Sequence, residues 1–199
     1  ASPPLFAPLP GPVSHLVAED EPETIHPWRV TGSSRPIPPG ILGNMVHKAL
    51  ELWIFPDSPR FLSLMETSAL NAGLTEKAQK DKAVQLAAWL LSRLGQHPLR
   101  REIENTSKRY HELPYSRMVP GHAETGYLDI LYRTSQGWQV VDFKTDAIRS
   151  DKDREKLIAQ YQRQIQRYAD AVNSLLGERP RVRLCFLDDD GKISLVETA

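Results

Sequence analysis

Cysteine is all but missing from this chain. The single one in 199 residues, Cys185, sits in the strand-like stretch "VRLCFL", where a buried thiol that helps fill the core is the expected role. Disulfides, cysteine-rich zinc sites and a four-cysteine iron–sulfur cluster are thereby excluded. Long apolar runs are missing too. No stretch approaches the roughly 18 residues of a membrane helix, and no charged segment followed by an apolar one opens the chain. The expectation is a soluble, intracellular, cytoplasmic protein with no membrane partner. Net charge is absent as well: 25 basic residues balance 25 acidic ones, so no global field advertises a polyanionic partner. An initiator methionine is lacking, since the chain begins with Ala1 and Met45, Met65 and Met118 all lie inside it. That suggests a fragment or a processed chain.

Proline, by contrast, is crowded toward the start, in "SPPLFAPLPGP" and "RPIPPG". Residues 1–40 show no apolar period longer than a few positions, and they carry four acidic against two basic side chains. They are read as a proline-rich linker or arm, and residues 41–199 as the domain.

From Leu42 the apolar residues Leu42, Met45, Val46, Ala49, Leu50 and Trp53 recur at helical spacing until Pro56. Residues 59–72 are expected to be helical. A long amphipathic helix should open at Thr75 as N-cap and close at Gly95. After Pro98, "REIENTSKRYHELPYSRMV" reads as extended segments, "TGYLDILYR" and "WQVVDFKTD" as a hairpin about the turn "TSQG", and 153–176 as a helix ended by Gly177. A last hairpin joins "RVRLCFL" to "KISLVE" through "DDDG", which lacks the alternating ligands and distal glutamate of a calcium loop. The order predicts α/β or α+β architecture with a mixed sheet flanked by helices.

The chemistry gathers on the first hairpin. In "VVDFKTD" a strand's period of two puts Asp142 and Lys144 on one face with Val140. A turn centred between Ser135 and Gln136 sets Asp129 directly opposite Asp142. Like charges opposed across strands are destabilising unless one is protonated or a cation sits between them. Two converging carboxylates look like half a site for Mg2+ or Mn2+, with Lys144 placed to orient or deprotonate a water. An Asp129–Lys144 ion pair on a solvated sheet face is an equal alternative on these residues alone. On the first helix His47 falls at the edge of the apolar stripe. On the later helix Gln164 projects into the stripe of Leu157, Tyr161, Ile165, Tyr168 and Val172, where a glutamine needs hydrogen-bond partners. Lys156, Arg163 and Arg167 lie to one side of that stripe and could follow a phosphate backbone.

In order, "GNMVHKALE" (Gly43, His47, Leu50, Glu51), "HELPY" (Glu112), "GYLDILY" (Gly126, Asp129), "VVDFKTD" (Asp142, Lys144, Thr145) and "QIQRY" (Gln164, Tyr168) resemble the successive motifs of the RecB-like branch of the PD-(D/E)XK nuclease superfamily. The resemblance covers about residues 41–197. It implies a restriction-endonuclease-like core and a metal site of His47, Asp129, Asp142 and the carbonyl of Phe143. Lys144 would be the catalytic lysine, Glu112 a further catalytic carboxylate, and Gln164 and Tyr168 the helix motif beside the active site and the DNA strand. Relatives with an iron–sulfur cluster use four cysteines, so this chain falls among the cluster-free members, with Mg2+ or Mn2+ as its cofactor.

The expected function is a metal-dependent deoxyribonuclease domain, an exonuclease acting on single-stranded DNA or unwound ends in recombination and repair. Its near-neutral charge implies that a helicase domain or subunit, in cis or in trans, supplies much of the affinity for DNA. The rival readings are a stand-alone exo- or endonuclease, a catalytically silent DNA-binding or scaffolding relative, and a globular domain whose polar hairpin is an ion-pair network.

Overall fold

The structure, a computed structural model, describes residues 37, 38 and 40–198. Most of the expected arm lies outside the described residues, although Ile37 within it is buried in the core. The described elements run α1 (Ile41–Glu51), α2 (Phe61–Asn71), α3 (Lys77–Gln96), α4 (Pro98–Glu104), β1 (Arg109–Val119), β2 (His122–Thr134), β3 (Gly137–Ile148), α5 (Asp151–Leu176), β4 (Arg181–Asp189) and β5 (Lys192–Thr198).

The strands form one sheet in the order β1-β2-β3-β4-β5. The β3–β4 pair is parallel and the other three pairs are antiparallel. A parallel neighbour needs a crossover, and α5 supplies it. The result is a mixed sheet between two helical layers, as the element order predicts. The first four helices pack with Ile130, Tyr132, Val141, Phe143, Cys185 and Leu187 on one face of the sheet. The stripe Leu157, Tyr161, Ile165, Tyr168 and Val172 of α5 packs with Leu128, Leu131, Val140, Leu184 and Phe186 on the other.

Three local expectations are corrected. The segment after Pro98 opens as a helix rather than a strand: Pro98 occupies the first helical position, and the His97 side chain caps it by accepting from the Leu99 N–H at 3.2 Å. Helix α3 begins at Lys77 behind Glu76, not behind Thr75, and no side chain caps it. Gly95 does not end that helix but lies inside it, where an added Cβ would stand 3.4 Å from Arg100 and 3.5 Å from Phe55. Its smallness serves close packing against the next turn of chain rather than a left-handed cap.

The β2–β3 register is the one the turn predicts, with Thr134 opposite Gly137 and Ile130 opposite Val141. There the ladder stops. Just beyond it, the alternation of faces breaks on two strands at once. Leu128 belongs with α5 while Ile130 faces the other helices. On β1, His111 reaches the carbonyl of Leu50 at the end of α1, whereas Leu113 and Tyr115 pack on the α5 side. Residues two apart on a regular strand share a face, so both strands roll over, at Asp129 and at Glu112. Glu112 has φ of 45°, in the left-handed region that a non-glycine residue rarely enters. The pair Glu112 and Asp129 is skipped in a ladder that otherwise runs from Arg109 opposite Tyr132 to Val119 opposite His122.

Past the roll, Gly126 lies opposite Tyr115. A Cβ at Gly126 would come within 2.8 Å of the Tyr115 ring and 2.7 Å of its hydroxyl, so the glycine is the bed on which that ring lies. Gly126→Ala should therefore lower the unfolding free energy in urea by about 1–3 kcal/mol, the usual cost of overpacking. An unchanged midpoint would mean that the ring is free to swing aside.

Candidate active site

The break in the ladder leaves the main chain of Phe143 without a strand partner on the β2 side, and two side chains take it over. The Phe143 N–H donates to Asp129 Oδ2 at 2.7 Å. The Phe143 carbonyl lies 3.1 Å from His47 Nε2. A strand that had stayed in register would have consumed both groups.

His47 comes from the sheet-facing side of α1, held in place by the buried Met45, Val46, Ala49 and Leu50 around it. Its Nδ1 points to the two residues at which the strands roll over, 3.4 Å from Asp129 Oδ1 and 3.7 Å from Glu112 Oε1. One potential ligand atom from each of His47, Glu112 and Asp129 can be chosen so that all lie within 4.8 Å of one another. Glu112, which the family resemblance implies as a further catalytic carboxylate, is thus in the cluster, at the point where its left-handed backbone rolls β1 over. Backbone held in a sparsely populated region concentrates at functional sites.

Asp142 stands beside this cluster rather than in it. Its carboxylate is almost wholly buried and pairs with Lys144, Nζ to Oδ2, at 2.9 Å. The Asp129–Lys144 ion pair considered on sequence gives way to two pairs, Asp129 with His47 and Asp142 with Lys144. Lys144 also donates to Gln164 Oε1 at 2.8 Å, and the Gln164 amide donates to the Tyr168 hydroxyl at 2.8 Å. The glutamine in the packing stripe of α5 is therefore satisfied, and it spends its acceptor on the lysine. Tyr168 is buried, with its ring edge-on to Tyr115 at 6.1 Å between centroids. Of the basic residues of α5 singled out on sequence, Lys156 and Arg163 are exposed and Arg167 is half-buried.

The charges tune one another. Burial on its own would lower the His47 pKa, but Asp129 and Glu112 outweigh it and hold the imidazole well above its ordinary value. Burial pushes Asp129 upward, yet the facing imidazolium, Lys144 and the Phe143 N–H bring it below the usual carboxylate value. For Asp142 burial wins over Lys144 and, with the Asp129 charge adding to it, carries the pKa up to about 6.

A divalent cation suits this donor set. Two carboxylates, an imidazole nitrogen and a main-chain carbonyl lie close together, and hard oxygen donors with one nitrogen fit Mg2+ or Mn2+. Asp142 Oδ2 is sealed from solvent and faces the ammonium without a well-directed hydrogen bond, which is bonding capacity that a cation could satisfy.

Two residues of this network went unassigned on sequence. Asp146 accepts from the Tyr161 hydroxyl at 2.7 Å, and the Tyr161 ring lies beneath Lys144. The signal for Asp146 was present in "VVDFKTD", because the alternation that pairs Asp142 with Lys144 continues to it.

A family model, described as the PD-(D/E)XK nuclease superfamily, matches residues 24–197. An ATP-dependent helicase/nuclease subunit of Lachnoclostridium phytofermentans is 25% identical over 200 residues, an alignment that takes in 75% of this chain and 14% of that protein. Among solved structures, a candidate exonuclease of Eubacterium rectale aligns with a TM-score of 0.43 and 12% identity, over 76% of this chain and 64% of that one. A protein of Vibrio cholerae aligns with a TM-score of 0.32 and 12% identity, over 74% and 41%.

The electrostatics carry a pH signature in the metal-free protein. A histidine raised by folding contributes stability that is present in full below its unfolded value, about 6.5, and is lost as pH rises through the raised value. Asp129, lowered by folding, contributes above its unfolded value and loses that contribution only as pH falls through the lowered one. Both groups are charged between those limits. In chemical denaturation with a chelator present, His47→Gln should therefore cost most stability below the histidine's unfolded value of about 6.5, and the cost should shrink as pH rises through the raised value. A cost that does not change with pH would contradict the Asp129–His47 pairing.

Proposed function

Since the chain belongs to the PD-(D/E)XK nuclease superfamily, as its RecB-like motifs led us to expect, we propose that it is a divalent-metal-dependent deoxyribonuclease domain. The observation that carries this reading is the convergence of His47, Glu112 and Asp129 within 4.8 Å, beside a carbonyl released from its ladder and a lysine paired with a second buried aspartate.

The groups that would hold the cation are a ring nitrogen of His47, carboxylate oxygens of Asp129, Glu112 and Asp142, and the carbonyl of Phe143. Mn2+ is as suitable as Mg2+, because an imidazole ligand favours the softer ion. When bound, such an ion offsets charge on the scissile phosphate and makes a water acidic enough to attack near neutral pH. The protein's own part is positional and electrostatic. Lys144 Nζ, held between Asp142 and Gln164, donates to a phosphate oxygen and stabilises the negative charge that builds there. Asp129 orients the imidazole of His47 while Asp129 itself is fixed by the Phe143 N–H. Gln164 and Tyr168, buried or half-buried and engaged with each other, act on Lys144 rather than on a base.

The substrate proposed is single-stranded DNA or an unwound end, its backbone tracked by Lys156, Arg163 and Arg167 along α5. A neutral chain offers little long-range attraction, so a helicase in cis or in trans is the partner that would deliver the strand. Two features favour this: the similarity to a protein named as a helicase/nuclease component, and the fact that the chain spans 14% of that protein's length. Work in recombination and repair, with the cytoplasmic location of a DNA-processing enzyme, follows from that assignment. Among the described residues, no helix is long and apolar enough to cross a membrane.

Incubation with end-labelled single- and double-stranded DNA, with and without Mg2+ or Mn2+, tests the reading. Cleavage should require the metal and fall by at least about 100-fold in each of Asp129→Ala, Asp142→Ala and Lys144→Ala, the scale expected when a group that stabilises developing charge is removed. DNA binding without cleavage in either metal would establish the catalytically silent module instead.

A further inference from the structure

Tyr161 occupies the packing stripe of α5, and by spacing alone it is a core residue. Its surroundings are those of a socket. On β3 the alternation places Asp142, Lys144 and Asp146 on the face that α5 covers. On α5, Tyr161, Gln164 and Tyr168 follow one another at intervals of three and four, so they form one line over that face. The Lys144 ammonium sits where the two lines meet. It is 2.8 Å from Gln164 Oε1, 2.9 Å from Asp142 Oδ2 and 4.0 Å from the centroid of the Tyr161 ring. The ring is fixed from behind, because its hydroxyl donates to Asp146 Oδ2 at 2.7 Å in a buried contact.

We propose that Tyr161 is a positioning residue for the nuclease reaction: its ring face forms the third wall of the socket that aims the Lys144 ammonium, and Asp146 locks that wall in place. The inference rests on the nuclease reading above and extends it to two residues to which the nuclease motifs give no role.

Three physical points support it. An ammonium has three N–H groups, and the oxygens of Gln164 and Asp142 engage at most two of them; the ring face 4.0 Å away narrows the directions open to the third. The attraction between an ammonium and an aromatic face grows when both are out of water, and here the Lys144 side chain is only 12% exposed. A phenol that donates to a carboxylate carries more negative charge on its ring than a free one. Burial, and then the nearby Asp146 charge, raise the Tyr161 pKa, so the hydroxyl stays a donor to that carboxylate. A residue that only filled space would need none of these features, and leucine or methionine would serve.

The test separates the face of the ring from its bulk. Position 161 is filled in turn with Tyr, Phe and phenylalanines carrying one and three ring fluorines, which keep the shape while draining the π-face. Cleavage of single-stranded DNA by the full chain is then measured with saturating Mn2+. Tyr161→Phe should lower kcat by about threefold and lower the melting temperature, because it keeps the face but loses the Asp146 partner that fixes and enriches it. Fluorination should lower kcat stepwise, to about tenfold below Phe for the trifluoro ring. KM for DNA and the Mn2+ concentration for half-activation should stay unchanged. Asp146→Asn, which keeps an acceptor of weaker charge, should fall between the Tyr and trifluoro proteins. A kcat that is flat across the fluorinated series, or that falls only in step with melting temperature, overturns the inference and leaves the nuclease reading standing. A wild-type chain that cleaves no DNA in either metal overturns the reading beneath it.

Discussion

The structure turns on one missing pair of strand hydrogen bonds. Strands β2 and β3 run in register from the hairpin turn to Ile130 and Val141 and then part. The polar main-chain groups of Phe143 are left in a place where water is scarce, and an unmade buried hydrogen bond costs about 1–3 kcal/mol. Asp129 and His47 make good that loss, and in doing so they are brought together with Glu112. The same roll of the chain that opens the ladder therefore supplies both the carbonyl and the side chains that surround it. An intact ladder would have given a tidier sheet and no site.

A partly buried cluster of this kind needs internal compensation. Three carboxylates meet one imidazole and one ammonium, and desolvation acts against every charge among them. The pairing divides the work: His47 offsets Asp129 on the α1 side of the sheet, and Lys144 offsets Asp142 on the α5 side. Asp142 is the less fully compensated of the two, since burial still carries its pKa up to about 6. A cation would reverse the balance by stabilising the ionised carboxylates, so folding and metal binding draw on the same groups. The two helical layers matter for the same reason, because α1 presents the histidine and α5 braces the lysine, each from a buried stripe that fixes its height over the sheet.

Much of this was legible in the sequence, and for identifiable reasons. The hairpin register followed from the turn at Ser135 and Gln136, since a period of two makes register a matter of counting. Helices α1 and α5 announced themselves through long apolar stripes, and Gln164 stood out because it interrupts one of them. What failed to show were features set by tertiary contact. The helix from Pro98 to Glu104 is too short for periodicity to reveal, and it depends on His97 as its cap. Gly95 reads as a helix stop but answers to its crowding against Phe55 and Arg100. The left-handed turn at Glu112 has no local signal, because no glycine or asparagine marks it. Tyr161 looked like core because its partner Asp146 lies on another element. Counting located Asp129 opposite Asp142 but could not show that the ladder ends just before them, which is the event that builds the site.

Whether this opening in the sheet is a cation site is tested most directly by the anomalous scattering of a crystal grown or soaked with Mn2+. A peak is predicted among a ring nitrogen of His47, the carboxylates of Asp129, Glu112 and Asp142 and the carbonyl of Phe143, with ligand distances of about 2.0–2.6 Å. Saturating Mn2+ with no anomalous density there, in a protein that nonetheless cleaves DNA in a metal-dependent way, would contradict it.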